Sequence, residues 1–240
     1  MREFTTAETM VRVWETEEIR KLTAKRAVYV ANEWRRRELD ELWVSDPEYQ
    51  KTASFGRNTG FYVGMDAIRG YYVDKHLAEM GDGKGYLSNH PMTTSMIRLA
   101  EDGKTARGLW YSIAQETRPN GDGTAKALWT PEKIAVDYVR EEDGWKIWHI
   151  MIANDLVCEA GGNFEEGSVY VDYATDPVAV EFGEPTIPML AHDQTFNWWD
   201  NYPAMPVKYD TWKEGMGYGP DGYPKPERFQ WGAKGGRNYK

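Results

Sequence analysis

TARGLWYSIAQETRPNGDGTAKALWTPEKIAVDYVREEDGWKIWHIMIANDL, residues 105–156, is the stretch whose reading decides the fold. Apolar residues recur at every second position in three long runs, the period of a half-buried strand. Two turns separate the runs: 118–123, rich in Gly and Asn, and Glu142-Asp143-Gly144. Turns of that chemistry between alternating segments close antiparallel hairpins, so the three runs form a meander. Upstream, YLSNHPMTTSMIRL (86–99) predicts a further strand, joined to the first through Glu101-Asp102-Gly103-Lys104.

Working outward, the pattern changes from strand to helix. Segment 16–43 has the composition of one long helix, with Glu17 and Glu18 early, where the helix dipole favours anions. Ile19, Leu22, Arg26 and Tyr29 or Val30 form its apolar stripe, and Asp46-Pro47 stops it. A strand-like stretch follows at 52–63, then a second amphipathic helix, GMDAIRGYYVDKHLAEM (64–80). Helices first and an antiparallel meander after predict an α+β fold with the helices on one sheet face. The chain carries no internal repeat and no phosphate-binding, dinucleotide, zinc-protease or nucleophile-elbow motif.

Composition narrows the function classes. The chain has 240 residues and a net charge of −9, with one cysteine, Cys158. A single cysteine excludes a disulfide framework and a multi-Cys zinc site. The negative charge argues against nucleic acid, whose phosphates need a basic surface. No apolar run approaches the ~20 residues of a membrane span, and the charged start lacks a signal-peptide core, so the reading is a cytoplasmic protein without a membrane partner. Residues 159–206 hold nine Asp or Glu and no Lys or Arg, so that segment alone carries the whole −9. The 82 residues after Cys158 also hold 15 of the 33 aromatics. The organisation expected is a pocket domain over 1–158 and an aromatic, Pro/Gly-rich extension over 159–240. Each buried aromatic covers ~150–250 Å², so the extension is expected to strap over the domain or a neighbouring subunit. Homo-oligomerisation, as a dimer or trimer, is expected on the same ground.

The chemistry-bearing candidates start with the four histidines, the side chains that exchange protons near neutral pH. Alternation places His90 with Met92, Thr94 and Met96, beside Asn89 and Pro91, an apolar setting that suits a pocket floor or a satisfied core histidine. His149 shares its expected face with Trp145, Ile147 and Met151, and Asn154 and Asp155 end that strand. His76, among Asp74, Lys75 and Glu79, reads as a solvated helix residue, and His192 as a cap from the extension. No two histidines have metal-ligand spacing, and no metal is expected. Cys158 lies in an apolar context, which argues against nucleophilic catalysis. The run Arg35-Arg36-Arg37 reads as a solvated helix face.

The order of these elements resembles the SnoaL-like branch of the nuclear transport factor 2 (NTF2-like) superfamily. The likeness rests on the long first helix, G-x-D-A-I-R-x-Y-Y at 64–72, the strand with His90, D-G-K-T-A-R-G-L-W-Y at 102–111 and D-G-W-K-I-W-H at 143–149. It covers roughly residues 14–157. The resemblance implies an NTF2-like cone, a curved antiparallel sheet closed by helices around a pocket. It also implies cofactor-free chemistry, as in the dehydratases, isomerases, cyclases and lyases of that superfamily, or plain ligand binding. By its length and aromatic loading the chain is similar to lyases that release formaldehyde from lignin-derived diarylpropanes and phenylcoumarans.

On the same resemblance, His90 falls where a catalytic histidine stands. Tyr29 falls where dehydratases carry a pocket tyrosine. Trp34 occupies the place of the usual partner aspartate, an aromatic wall where a carboxylate is expected. His149 either faces the cavity or packs under a helix. The expectation is a cofactor-independent lyase for a hydrophobic, ring-bearing, phenolic small molecule. His90, helped by Tyr29 or His149, would move protons; Trp34, Trp110 and Asn154 would bind substrate. The alternatives are an isomerase or cyclase of steroid or polyketide type, and a non-catalytic binding or assembly module.

Overall fold

The computed structural model describes residues 3–57, 60–120, 122, 124–162, 186–188 and 203–222. Helix α1 spans Thr6–Ala31 and begins with a capping box in which Thr5 and Glu8 satisfy each other's backbone N–H groups. Its buried residues are Ile19, Thr23, Arg26, Tyr29 and Val30. The single long helix expected over 16–43 is in fact two. Asn32 caps α1, Glu33 turns into the left-handed region (φ 57°), and α2 runs over Arg35–Leu42. Side-chain contacts of Glu33 with Arg35 and His76 hold that turn. Helix α3 (Pro47–Thr52) starts at the Asp46-Pro47 stop, with Asp46 as its N-cap and Pro47 in the first turn.

The expected strand over 52–63 is a tight hairpin of β1 (Ser54–Arg57) and β2 (Gly60–Val63). The second helix comprises α4 (Met65–Arg69), a π-helical stretch (Gly70–Lys75) and α5 (His76–Met80). Strand β3 (Ser88–Asn89) and strand β4 (Thr93–Leu99) then flank His90-Pro91-Met92, where one strand was expected. Proline has no N–H for the ladder, which accounts for the break. The long meander follows as β5 (Thr105–Pro119), β6 (Ala125–Glu141) and β7 (Gly144–Asn154), then β8 (Cys158–Glu159) and β9 (Ile187–Pro188).

These strands form one curved sheet in the order β3-β5-β6-β7-β1-β2-β9, with β4 also on β5 and β8 on β6. The sheet is mixed: β1 runs parallel to β7, and the other pairs are antiparallel. The architecture is the expected α+β arrangement. Directly paired residues share a face. The register Trp110↔Ile134, Ser112↔Glu132, Glu132↔Asn154 and Ile134↔Ile152 therefore defines the side turned toward the helices. Trp110, Ile134, Val136, Ile150 and Ile152 join Ile19, Tyr29, Leu39, Leu42 and Trp43 there in the main core. The ring of Trp110 lies over Gly108, where an added Cβ would come within 2.1 Å of it; only glycine fits.

The opposite face has its own small core of Phe61, Leu109, Ala135, Met151, Ala153 and Tyr218. Tyr218 comes from residues 203–222, the longest described part of the extension. This segment is tied to the β4–β5 turn through Glu101 N–H to Tyr209 O and Asp102 N–H to Asp210 O, each 3.0 Å. Tyr209 also meets Thr105, hydroxyl to hydroxyl, at 3.1 Å. No helix among the described residues is long and apolar enough to cross a membrane.

Candidate active site

His90 sits in the break between β3 and β4, 7% exposed. A carboxylate lies against each ring nitrogen: Glu132 Oε1 at 2.8 Å from Nδ1, and Glu116 Oε1 at 3.1 Å from Nε2. Asn154 Nδ2 donates to the other oxygen of Glu132 at 3.1 Å. The grouping follows from the ladder, because Glu132 of β6 stands directly opposite Asn154 of β7, and Glu116 of β5 opposite Ser88 of β3. Burial disfavours a charged imidazole. Here the Glu132 charge and the hydrogen bonds to both glutamates outweigh it, pushing the His90 pKa up to about 9. Glu116 shows the converse: burial would raise its pKa, but the His90 hydrogen bond and charge, with Arg57 and Arg118, hold it well below the usual carboxylate range. At neutral pH His90 is thus an imidazolium clamped by two acceptors. The carboxylates lie on opposite sides of the ring and do not converge on one ion. Among the described residues no group of three or more His, Cys, Asp or Glu could hold a metal.

A second charged cluster lies where the helices meet the same core. Glu38, fully buried on α2, faces Arg26 of α1 at 3.1 Å, accepts from Tyr72 Oη at 2.5 Å and from Trp43 Nε1 at 3.3 Å. The Arg26 contact is close but poorly aligned, leaving Nε without a well-formed hydrogen bond. Burial and the Glu38 charge push the Tyr72 phenol up. The field of Glu132 reaches Arg26, so the two clusters are electrostatically linked.

The sequence candidates divide sharply. Asn154 joins His90, through Glu132. His149 does not, because its face is opposite to the expected one. The β6–β7 register pairs Asp137 with His149 but Tyr138 with Ile147, so Trp148 is an extra residue in β7. Such a bulge reverses the alternation. Ile147 therefore points to the main core, and His149 lies beyond the sheet against Asp137 (Nδ1 to Oδ2 2.9 Å). The 203–222 segment closes over that pair: Tyr218 N–H donates to Asp137 Oδ2 at 2.5 Å, and Gly219 lies flat against the His149 ring. Arg107 completes the cluster, 3.4 Å from Asp137 and stacked on Tyr218.

Tyr29 is buried but aims its hydroxyl at Glu41 (2.6 Å), a rim carboxylate that also binds Lys25 and Arg37. Trp34 is 45% exposed at the start of α2, edge-on to Tyr29, and is no wall for His90. Trp110 is a core residue, edge-on to Tyr138. His76, expected in solvent, is buried, 2.5 Å from Glu33 and 3.2 Å from Tyr86. In the arginine run Arg35 is likewise buried, bonded to Glu33 and Ser88. Asp155 pairs with Lys133 at 2.5 Å, and Cys158 is a buried free thiol. His192 lies outside the described residues. Sequence reasoning missed Glu116, Glu132, Glu38, Arg26 and Tyr72 as site residues. A signal existed for two of them: alternation puts Glu116 with Trp110 and Ala114, and Glu132 with Leu128 and Ile134, carboxylates on otherwise inward faces.

The family model for the SnoaL-like domain matches residues 11–151. Two solved structures illustrate the structural likeness. An NTF2-like protein with a cystatin-like fold from Novosphingobium aromaticivorans is 21% identical, covers 68% of this chain and 94% of its own, and has a TM-score of 0.45. A hexachlorocyclohexane dehydrochlorinase, LinA-type3, from Novosphingobium barchaimii is 13% identical, covers 65% and 96%, and has a TM-score of 0.49. No curated protein sequence matches the chain significantly.

Proposed function

The chain belongs to the SnoaL-like domain family, and on that premise we propose that it is a cofactor-independent lyase, acting on a hydrophobic ring-bearing substrate of the lignin-derived phenolic type. The observation that carries the reading is His90 held between Glu116 and Glu132 on the helix-facing side of the sheet. Glu132, oriented by Asn154, fixes the ring. Glu116, against Nε2, stands where a substrate oxygen would compete for the same proton.

The reaction that suits this pair is cleavage of a diarylpropane diol to a diaryl alkene, water and formaldehyde. His90 gives the Nε2 proton to the leaving benzylic hydroxyl, which departs as water while the ring's electrons stabilise the developing cation. Glu116 takes the proton of the primary alcohol as its carbon–carbon bond breaks and formaldehyde leaves. In the free protein the two groups mute each other, the acid too weak and the base too weak. A substrate that parts them removes the stabilisation of both charges, so the His90 pKa falls and the Glu116 pKa rises. Each positioned acid or base of this kind contributes ~10²–10⁴-fold.

The test is incubation of the purified protein with a diarylpropane diol and a phenylcoumaran. Products are resolved by mass and formaldehyde is quantified. Formaldehyde or water release supports the lyase reading. A product of unchanged mass would assign an isomerase or cyclase instead, and no turnover of any ring-bearing alcohol would refute it.

A further inference from the structure

Two hydroxyls beside the His90 cluster have no use in the folded chain itself. Ser112 Oγ on β5 and Thr130 Oγ1 on β6 are buried, each residue 1% exposed, and neither has a hydrogen-bond partner among the described residues. Buried hydroxyls in native proteins are nearly always paired, because an unpaired one keeps the full cost of leaving water. Two such atoms on one sheet face are therefore a pattern that needs a cause.

Their position suggests one. Ser112 is directly opposite Glu132, and Thr130 is two residues from Glu132 on the same strand. Thr130 pairs with Ala114, which separates Ser112 from Glu116 along β5. The two hydroxyls are thus diagonal neighbours, within about 7–8 Å by strand geometry, on the inward face that carries both glutamates. Serine and threonine hydroxyls each donate one hydrogen bond and accept up to two, which matches an alcohol.

We propose that Ser112 and Thr130 form a hydroxyl-binding subsite that receives the alcohol oxygens of the substrate next to His90. This rests on the lyase reading and adds to it the side chains that would hold the alcohol oxygens of the diol.

The test uses binding, so that it stands apart from turnover. A diarylpropane diol and its dideoxy analogue are titrated calorimetrically into wild-type, Ser112→Ala, Thr130→Val and the double variant. The diol should bind wild-type at least tenfold more tightly than the dideoxy compound, the effect of about one charge-free hydrogen bond. That preference should vanish in the double variant. Because the hydroxyls lack protein partners, the variants should melt at or above the wild-type temperature. Equal binding of the two ligands, no detectable binding of either, or lowered melting with the diol preference intact would each overturn the subsite. Loss of turnover in a His90 variant with the diol preference retained would leave the subsite standing, and diol preference without any catalysis would refute only the lyase reading.

Discussion

Replacing Glu116 by glutamine should lower the His90 pKa by about one pH unit, because it removes one of the two charges clamping the ring. His90 stands at about 9 against an ordinary 6.5. At 1.36 kcal/mol per pH unit that gap is worth about 3 kcal/mol of stability. The sign follows from linkage: a histidine whose pKa is raised by folding contributes fully below 6.5, and the contribution is gone above about 9. At pH 7 most of it remains, and Glu116→Gln should remove on the order of 1 kcal/mol. The lowered pKa of Glu116 is the other side of the same contact and adds nothing separate in this window. The assay is a pH titration of the four histidine ring signals by nuclear magnetic resonance, with denaturant unfolding at pH 7 and pH 10. The stability difference between wild-type and variant should shrink toward zero as the pH rises past 9. A wild-type His90 that titrates near 6.5, or a variant in which it stays near 9, would refute the clamped imidazolium.

Three further outcomes test the surrounding structure. Asp137→Asn should loosen the 203–222 segment, since Asp137 holds Tyr218, His149 and Arg107 together. Amide exchange in that segment should rise on the order of tenfold for a charged hydrogen bond lost, while exchange in α1 stays unchanged. Gly108→Ala drives a methyl into the Trp110 ring and should cost about 1–3 kcal/mol in thermal or denaturant unfolding. Arg26→Met strands the buried Glu38 carboxylate and should cost about 3–5 kcal/mol, part of it recovered when Glu38→Gln is added.

The meander was legible because three long strands each alternate cleanly and are closed by Gly- and Asp-rich turns. The helices-then-sheet order followed from period alone. What escaped the sequence were local irregularities fixed by tertiary contacts. Nothing in segment 16–43 announces a left-handed Glu33; its side chain is held by His76, forty-three residues away. Trp148 is an ordinary strand residue by composition, yet the bulge it makes sends His149 to the far face and undoes its pairing with His90. Tyr29 lies on the apolar stripe that the period marks, but its hydroxyl follows the rim charge of Glu41, contributed by α2, a helix that the composition of 16–43 does not separate from α1. Asn154 reached the His90 cluster because strand pairing, and not sequence proximity, brings Glu132 between them.

The most direct test of the central claim is the pH dependence of kcat/KM for a diarylpropane diol in wild-type, Glu116→Gln and His90→Gln. An acid working from the His90 imidazolium predicts activity that falls as pH rises through about 9 in wild-type. In Glu116→Gln, which also lacks the proposed base, kcat/KM should be ~10²–10⁴-fold lower and its residual fall should move about one pH unit lower. In His90→Gln, turnover should drop ~10²–10⁴-fold while the circular dichroism spectrum is retained. Wild-type-like turnover in a folded His90→Gln protein, or activity that rises through pH 9, would contradict the account.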